Sequence, residues 1–149
     1  GWVHSSGVDA AAVFQSDRNG ETVDLPTLLS YAGTSGTEMT FLMVPTVEGP
    51  RRGIDRDDDT VYDGDETDYN TDSGNPNDHK WAEDGYPGTQ SGTSIEPYAT
   101  FDSALGALSA TSGKSAVLHL KPGTYSSTAT ILDTPMWLMQ EGVGTVTID

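Results

Sequence analysis

The sequence contains no cysteine, and only 7 of its 149 residues are lysine or arginine. Without cysteine, the chain cannot form internal disulfide bonds, zinc–thiolate sites or covalent attachments to c-type haem. The few bases stand against 23 acidic residues and leave a net charge of −16. Because nucleic acids and anionic membranes attract basic surfaces, neither is expected as a partner. Divalent cations are the natural counter-ions of such a chain.

The sequence also lacks a long hydrophobic run. With no stretch of 18 apolar residues, we expect no membrane insertion. No signal peptide is recognisable, and the start at Gly1 predicts a processed product or a piece of a longer chain. The 17 glycines, 8 prolines and 34% hydrophobic residues predict a loop-rich or β-rich globular protein rather than a helical bundle.

The most distinctive stretch is the twelve-residue window from Asp55 to Glu66. Carboxylates occupy its first, third, fifth, ninth and twelfth places. Helix–loop–helix calcium loops place oxygen ligands there and take the seventh from a backbone carbonyl, because calcium requires six to eight oxygens at about 2.3–2.6 Å. We therefore predict a calcium site with the ligands Asp55, Asp57, Asp59, Val61 (through its carbonyl), Asp63 and Glu66. The alternative is a solvated acidic linker.

One residue departs from this pattern. The sixth place of such loops is normally glycine, because the backbone turns there with positive φ, and here it is Thr60. A β-branched residue is disfavoured in that region. The sequence therefore predicts a strained turn or a different path of the loop.

The window belongs to an acidic segment, residues 51–90, in which apolar residues are scarce. Twelve acids and two bases lie between Asp55 and Asp84. We predict a linker that is disordered without an ion. A second site could begin with Asp68, Asn70 and Asp72, which repeat the one-three-five spacing. Its twelfth place is His79, which cannot supply two oxygens, so an Asx-rich turn region is the competing interpretation.

The acidic segment resembles a thrombospondin type-3 or dockerin-type calcium repeat, in which an Asp-rich loop precedes a second Asp/Asn cluster. Asp55–Glu66 stands for the loop, and Asp68–Asp72 with Asn75–Asp78 stands for the cluster. The resemblance implies the calcium ligands named above, with Ca²⁺ as the only cofactor. It also implies an extracellular or cell-surface location, since weak calcium modules work at millimolar calcium.

Residues 1–50 are predicted to form a small α+β segment. We expect a short helix at Val8–Phe14 and a helix from 25 to 32 with Asp24 as N-cap, Pro26 in its first turn and Gly33 after its end. A strand is predicted for Thr37–Val44. The segment loosely resembles one found near the ends of large secreted bacterial proteins, after cytochrome-like or propeller regions. In such a context His4 could ligate haem or a metal, although a lone terminal histidine is usually a surface residue.

Residues 91–149 are predicted to form a helix followed by short strands. Thr100 is a candidate N-cap, and apolar residues at 101, 104, 105 and 108 have helical spacing. We expect strands at 116–120 and 121–125, joined by a Pro-Gly turn, and further strands at 129–132, 135–139 and 145–148.

This segment resembles the start of right-handed parallel β-helix proteins of the pectin-lyase-like class. The phrase Pro97–Leu105 stands for their cap helix, and Val117–Tyr125 for the first strand with its Pro-Gly-Thr-Tyr corner. The resemblance implies fold and says little about chemistry. Two rungs bury little core, so we expect either a fragment of a longer polypeptide or an assembly with other chains.

The sequence shows no catalytic constellation. Lys114 and Lys121 lie in or beside turns, and His119 alternates with Leu118 and Leu120, which predicts a surface or lining position. The tryptophans could stack on carbohydrate, although scattered tryptophans are usually core or interface residues.

The fold class predicted here is mainly β: an α+β segment (1–50), a calcium-loop linker (51–90), and a cap helix with the first rungs of a right-handed parallel β-helix (91–149). The predicted function is a non-catalytic, calcium-stabilised structural or assembly module of a secreted or cell-surface protein. The alternatives are the N-terminal part of a carbohydrate-active β-helix enzyme, with its active site outside this chain, and an accessory part of an extracellular electron-transfer assembly.

Overall fold

The computed structural model describes residues 1–4, 12–128 and 135–149. The chain separates into two compact units, Gly1–Asp65 and Glu66–Asp149. The boundary falls inside the acidic segment 51–90. That segment therefore contributes residues to both units.

The first unit contains a three-stranded antiparallel sheet. Its strands are β1 (Trp2–Val3), β2 (Val13–Ser16) and β3 (Thr22–Asp24), with β2 in the centre. Phe14 pairs with Val23 across the sheet, and Phe14 and Ser16 are both buried. The alternation of side chains along a strand places them on one face, which packs on the rest of the unit.

A helix covers that face of the sheet. Helix α1 (Leu25–Ala32) buries Leu28 against Phe14 and Ala12. Its sequence-based prediction is confirmed: Asp24 Oδ1 accepts a hydrogen bond from the Thr27 N–H at 2.8 Å, and Gly33 follows the last turn. The N-terminal cap satisfies a backbone donor that the helix leaves without an internal partner.

Two local predictions in this unit have other outcomes. The strand predicted for Thr37–Val44 is wrong, because these residues form no strand, and Leu42 and Met43 are exposed. A β-rich pattern forms a strand only where another strand pairs with it. Most of the helix predicted for Val8–Phe14 lies outside the described residues, and its last two residues belong to β2. Further along, a 3-10 turn (Thr46–Glu48) leads into helix α2 (Gly49–Gly53).

The second unit contains two parallel strand arrangements. Strands β4 (His79–Ala82), β5 (Ala116–Leu120) and β7 (Met136–Gln140) form one sheet in that order, and β6 (Gly123–Tyr125) pairs with β8 (Val146–Ile148). All five residues of β5 are buried, as is usual for parallel strands. The strands predicted near 116–120, 121–125, 135–139 and 145–148 are confirmed. The strand predicted for 129–132 lies outside the described residues.

The core of this unit forms between the strands and one helix. Helix α4 (Phe101–Ala107) is capped by the predicted Thr100, whose Oγ1 accepts a hydrogen bond from the Ser103 N–H at 3.1 Å. The core consists of Ala82, Phe101, Ala104, Leu105, Leu118, Leu120 and Tyr125. The buried Tyr125 hydroxyl donates to the carbonyl oxygens of Ala82 and Lys121 at 3.0 and 2.7 Å and so ties β6 to the sheet.

The predicted fold class is wrong. The structure is a small α+β protein with 21% helix and 22% strand, and its sheets have two or three short strands, none of which curls. Neither a mainly β class nor a right-handed β-helix is shown among the described residues. The prediction assumed that the short strands of residues 116–148 stack as the repeating coils of a β-helix. The helices, however, contain as many residues as the strands, and the first sheet is antiparallel.

A further helix, α3 (Asp63–Tyr69), lies in the acidic segment. Asn70, with φ of 58°, follows its last residue, a backbone region that asparagine tolerates and that often ends helices. Among the described residues, no helix has the length and apolar character needed to cross a membrane.

Candidate metal centres

The predicted calcium loop is a closed loop in the first unit. Ile54 is buried at its start, and the carbonyl oxygen of Ile54 accepts a hydrogen bond from the Asp63 N–H at 2.8 Å. The loop is anchored on its other side by the Asp55 N–H, which donates to the Pro50 carbonyl oxygen at 2.9 Å. The residues between these anchors therefore turn within a fixed span.

Three predicted ligands converge inside this loop. Asp55, Asp57 and Asp59 each offer a carboxylate oxygen, and these oxygens lie within 4.8 Å of one another. Asp55 and Asp59 are buried, with 5% and 2% of their surface exposed. Three acids at alternate positions point inward because the backbone curls around them.

Backbone N–H groups of the loop orient two of these carboxylates. Asp55 accepts from the N–H groups of Asp58 and Thr60 at 2.9 and 3.2 Å. Asp59 Oδ1 accepts from the Val61 N–H at 2.8 Å. These bonds fix the direction in which the remaining lone pairs of the carboxylates point.

Asp57 differs from its two neighbours. Both of its carboxylate oxygens are buried, and neither accepts a hydrogen bond of normal geometry. Burial and the nearby charge of Asp55 raise the pKa of Asp57 from 3.8 to about 6, although backbone N–H groups of the loop offset part of the rise. Burial likewise raises the pKa of Asp55. The cluster is costly to ionise without a cation.

The backbone of the loop is strained where the calcium pattern requires positive φ. Thr60, at the sixth place, has φ of 81°, and Asp58 has φ of 64°. A β-branched residue in this region costs about 1–3 kcal/mol. The loop therefore keeps the turn that glycine normally makes, with a less suitable residue.

The other predicted ligands have different surroundings. Val61 is buried within the loop. Asp63 is engaged by Arg56: it accepts from the Arg56 N–H at 2.9 Å and pairs with the guanidinium at 3.4 Å. Glu66 belongs to the second unit, where it is completely buried on α3.

A second group of possible ligands, which the sequence analysis missed, lies in the second unit. Glu66, Asp78 and His79 are all 0% exposed, and each offers a ligand atom within 4.8 Å of the others. His79 begins β4 and Asp78 precedes it. In the predicted second calcium loop, His79 is the twelfth residue counted from Asp68. A signal was present in the adjacent Asp78–His79 pair, but its burial depends on the sheet.

The predicted second site is arranged differently. Asp68 is exposed on α3, and Asn70 is exposed after its end. The Asp72 carboxylate accepts from the Thr111 hydroxyl at 2.6 Å and from the Gly74 N–H at 3.2 Å. In the parts of the chain that the structure describes, neither group of potential metal ligands contains Asp68 or Asp72.

A hydrogen-bonded chain of side chains leads away from His79. Its Nε2 lies 2.9 Å from the Thr71 hydroxyl, and its Nδ1 lies 2.9 Å from His119 Nε2. His119 Nδ1 in turn lies 2.6 Å from the Glu141 carboxylate. Trp81 stacks on His119 with ring centroids 4.1 Å apart and an angle of 5°. Contrary to the sequence-based prediction of a surface or lining position, His119 is only 4% exposed.

Burial keeps both imidazoles neutral at pH 7. Burial, together with the neighbouring His119 and Lys80, lowers the pKa of His79 from 6.5 to about 3. Burial also lowers the pKa of His119, against the opposing effect of Glu141. The third histidine, His4, has its Nδ1 2.7 Å from the Val13 carbonyl oxygen and its ring against Phe14 in the first unit.

Comparisons with known proteins add no assignment. No family model matches the sequence, and neither a curated protein nor a solved structure is significantly similar to it. The function must therefore be argued from the geometry of the two ligand groups.

Proposed function

We propose that the chain is a non-catalytic, calcium-stabilised structural module of a secreted or cell-surface protein. The convergence of Asp55, Asp57 and Asp59 carries the proposal, together with the two buried Asp57 oxygens, neither of which accepts a hydrogen bond of normal geometry. A cation between the three carboxylates would supply what these oxygens lack and relieve the mutual repulsion of the acids.

Calcium fits this group better than other common ions. The three donors are all carboxylate oxygens, which are hard ligands and favour calcium or magnesium over zinc or copper. Magnesium demands near-ideal octahedral geometry, whereas calcium accepts irregular sets of six to eight oxygens. A curled loop with acids at alternate positions suits the larger ion, and water or backbone carbonyls can complete its coordination.

The strained turn supports a weak site. Thr60 keeps positive φ at a cost in free energy, and Asp63 is engaged by Arg56 rather than presented to an ion. Both features lower affinity. Calcium sites of extracellular modules bind in the range of about 10⁻⁴–10⁻³ M, which suffices only where calcium is abundant. This argument supports the proposed extracellular or cell-surface location.

The role of the ion would be structural. Binding would neutralise the acid cluster and hold the loop between Ile54 and Asp63, which couples calcium binding to the folding of this part of the first unit. The perturbed histidines of the second unit do not favour an enzymatic role. His79 and His119 are 0% and 4% exposed, and a substrate has little access to them.

Calorimetric titration of calcium into chelator-stripped protein tests the proposal, with light scattering recorded in parallel. We expect binding by the wild type and an affinity at least tenfold lower in the D57N variant. D58N is the matched control, because it removes the same charge one residue away, at an exposed side chain outside the predicted ligand set. Equal affinities of all three proteins, or no binding by the wild type, would refute the site. A rise in mass on binding would indicate calcium-dependent assembly with further copies of the chain.

A further inference from the structure

We propose that Glu66, Asp78 and His79 form a separate metal site for a transition-metal ion of the zinc class. This inference goes beyond the proposed calcium function and does not depend on it, because the three residues lie in the second unit. The group is not merely acidic: it joins one imidazole to two carboxylates, and all three side chains are completely buried.

The chemistry of the donors sets the class of ion. Imidazole nitrogen suits zinc, iron, nickel and copper, whereas calcium takes oxygen ligands only. Zinc binds His nitrogen and Asp or Glu oxygen at about 2.0–2.2 Å, so its tetrahedral ligands lie about 3.3 Å apart. The ligand atoms of the group already lie within 4.8 Å of one another. Small side-chain rotations would bring them to bonding positions.

The hydrogen bonds beyond His79 determine which ring nitrogen is available. His119 Nδ1–H donates a hydrogen bond to the Glu141 carboxylate, which leaves Nε2 of the neutral ring as the acceptor. His79 Nδ1 then donates to His119, and a lone pair remains on His79 Nε2. In metal-bound histidines, the ring N–H that does not face the metal is held by a hydrogen-bond acceptor. Here His119 is that acceptor, and Glu141 in turn holds His119.

One ring nitrogen of His79 lies within 4.8 Å of a carboxylate oxygen of Glu66 and of Asp78. In this tautomer the single hydroxyl proton of Thr71 points to His79 Nε2, 2.9 Å away, and the Thr71 N–H donates to the Glu66 carbonyl oxygen at 2.9 Å. The next residue, Asp72, donates its N–H to Asp78 Oδ2 at 2.7 Å. Thr71 and Asp72 therefore connect His79 with both Glu66 and Asp78.

The burial energetics favour a divalent ion at this place. Glu66 and Asp78 are both completely buried, so folding removes the hydration of two carboxylates that lie close together. A divalent ion between them compensates both charges. Trp81 stacks on His119 and holds the hydrogen-bonded chain of His79, His119 and Glu141 in place. Fewer side chains then need to be ordered when the metal ion binds.

Cobalt(II) tests the site in calcium-saturated wild-type protein, where the acid cluster of the first unit is already occupied. We expect visible d–d absorption from bound cobalt. The absorption should disappear when one equivalent of zinc displaces the cobalt. The variants H79Q and D78N should each lower cobalt affinity by more than about tenfold. H4Q is the matched control, because it removes a histidine from the other unit. It should leave the cobalt spectrum unchanged.

His119 acts as a positioning residue in this proposal. The variant H119Q should lower zinc affinity about 10- to 100-fold while keeping the absorption bands of an imidazole-bound cobalt ion. A role in folding alone would change thermal stability and leave zinc affinity unaltered.

X-ray absorption at the zinc edge tests the metal site in the wild type, even if the His79 variant fails to fold. Zinc-loaded wild type should show one imidazole shell at about 2.0–2.1 Å and oxygen ligands. The absence of imidazole scattering would overturn the proposal, as would cobalt spectra that are the same in wild type and D78N. The buried group would then be neutralised by protons. Loss of calcium binding in D57N with an intact cobalt spectrum would separate the two sites.

Discussion

Replacement of Asp57 by asparagine should stabilise the protein in chelator, and calcium should reduce or cancel that gain. The side chain keeps its shape and loses its charge. In chelator, the pKa of Asp57 is raised from 3.8 to about 6, so the ionised carboxylate destabilises the folded state at pH 7. The full shift corresponds to ~3 kcal/mol, which we discount to about 1–2 kcal/mol because the side chain is partly solvent-accessible. D57N should be more stable than wild type by that amount.

With calcium, the stability advantage of D57N should shrink by at least about 1.3 kcal/mol, because a tenfold weaker site gains at most about 1.4 kcal/mol in 10 mM calcium. A site with Kd of about 10⁻⁴ M in 10 mM calcium is at ~100 Kd, which stabilises the folded wild type by about 2.7 kcal/mol. D57N should gain much less. Urea unfolding followed by circular dichroism, in chelator and in 10 mM calcium, measures both free energies of unfolding.

The pH dependence provides a separate check of the same reasoning. Because the folded pKa of Asp57 lies above the unfolded value, the folded state binds the extra proton between these two values. In chelator, the stabilising contribution of the protonated Asp57 to the free energy of unfolding is fully present below about pH 4. It is lost as the pH rises through about 6. D57N should show less of this loss.

Two results would refute the reasoning about Asp57. The first is a D57N protein that is less stable than wild type in chelator. The second is a D58N control that loses the calcium response as completely as D57N, which would show that general charge, and not the position of Asp57, controls binding.

Three further predictions test the structure. Thr60→Gly should stabilise the loop by about 0.5–1 kcal/mol and tighten calcium binding, because glycine adopts positive φ without strain. Thr60→Ala keeps the Cβ and should recover less of this stability. Urea unfolding measures the stability, and calorimetry measures the affinity. Thr100→Ala should destabilise the second unit by about 1 kcal/mol through loss of the helix cap, with Thr100→Ser as a neutral control in urea unfolding. Leu118→Ala should cost about 2–5 kcal/mol in thermal or urea unfolding, whereas Leu138→Ala, at a half-exposed position of the neighbouring strand, should cost less than half as much; equal costs would contradict the described core.

Local signals predicted several elements well. Helix α1 begins after Asp24 and ends before Gly33, because caps and stops act through hydrogen bonds within a few residues of the chain. The same holds for the Thr100 cap of α4. Strand β5 was predicted within its observed bounds, whereas the burial of all five of its residues, His119 included, was not predicted.

Predictions failed where the decision depended on distant residues. The Thr37–Val44 segment has a strand-like pattern, but it pairs with no strand among the described residues. By contrast, His79–Ala82 has no apolar pattern, yet it forms a completely buried strand because β5 pairs with it. The fold class was wrong for the same reason: short strands in sequence do not determine how many stack or whether the sheet curls.

The sequence by itself determined the charge, the absence of thiol chemistry and the spacing of the three acids in the loop, since these properties depend on residue types and on separations of two residues. Only the tertiary structure decided which acids share a buried group. It engaged Asp63 with Arg56, and it placed Glu66 beside Asp78 and His79, which are 12 and 13 positions further along the chain. Charged residues that are distant in sequence come together through the packing of helices and the pairing of strands. A linear sequence pattern does not specify either of these.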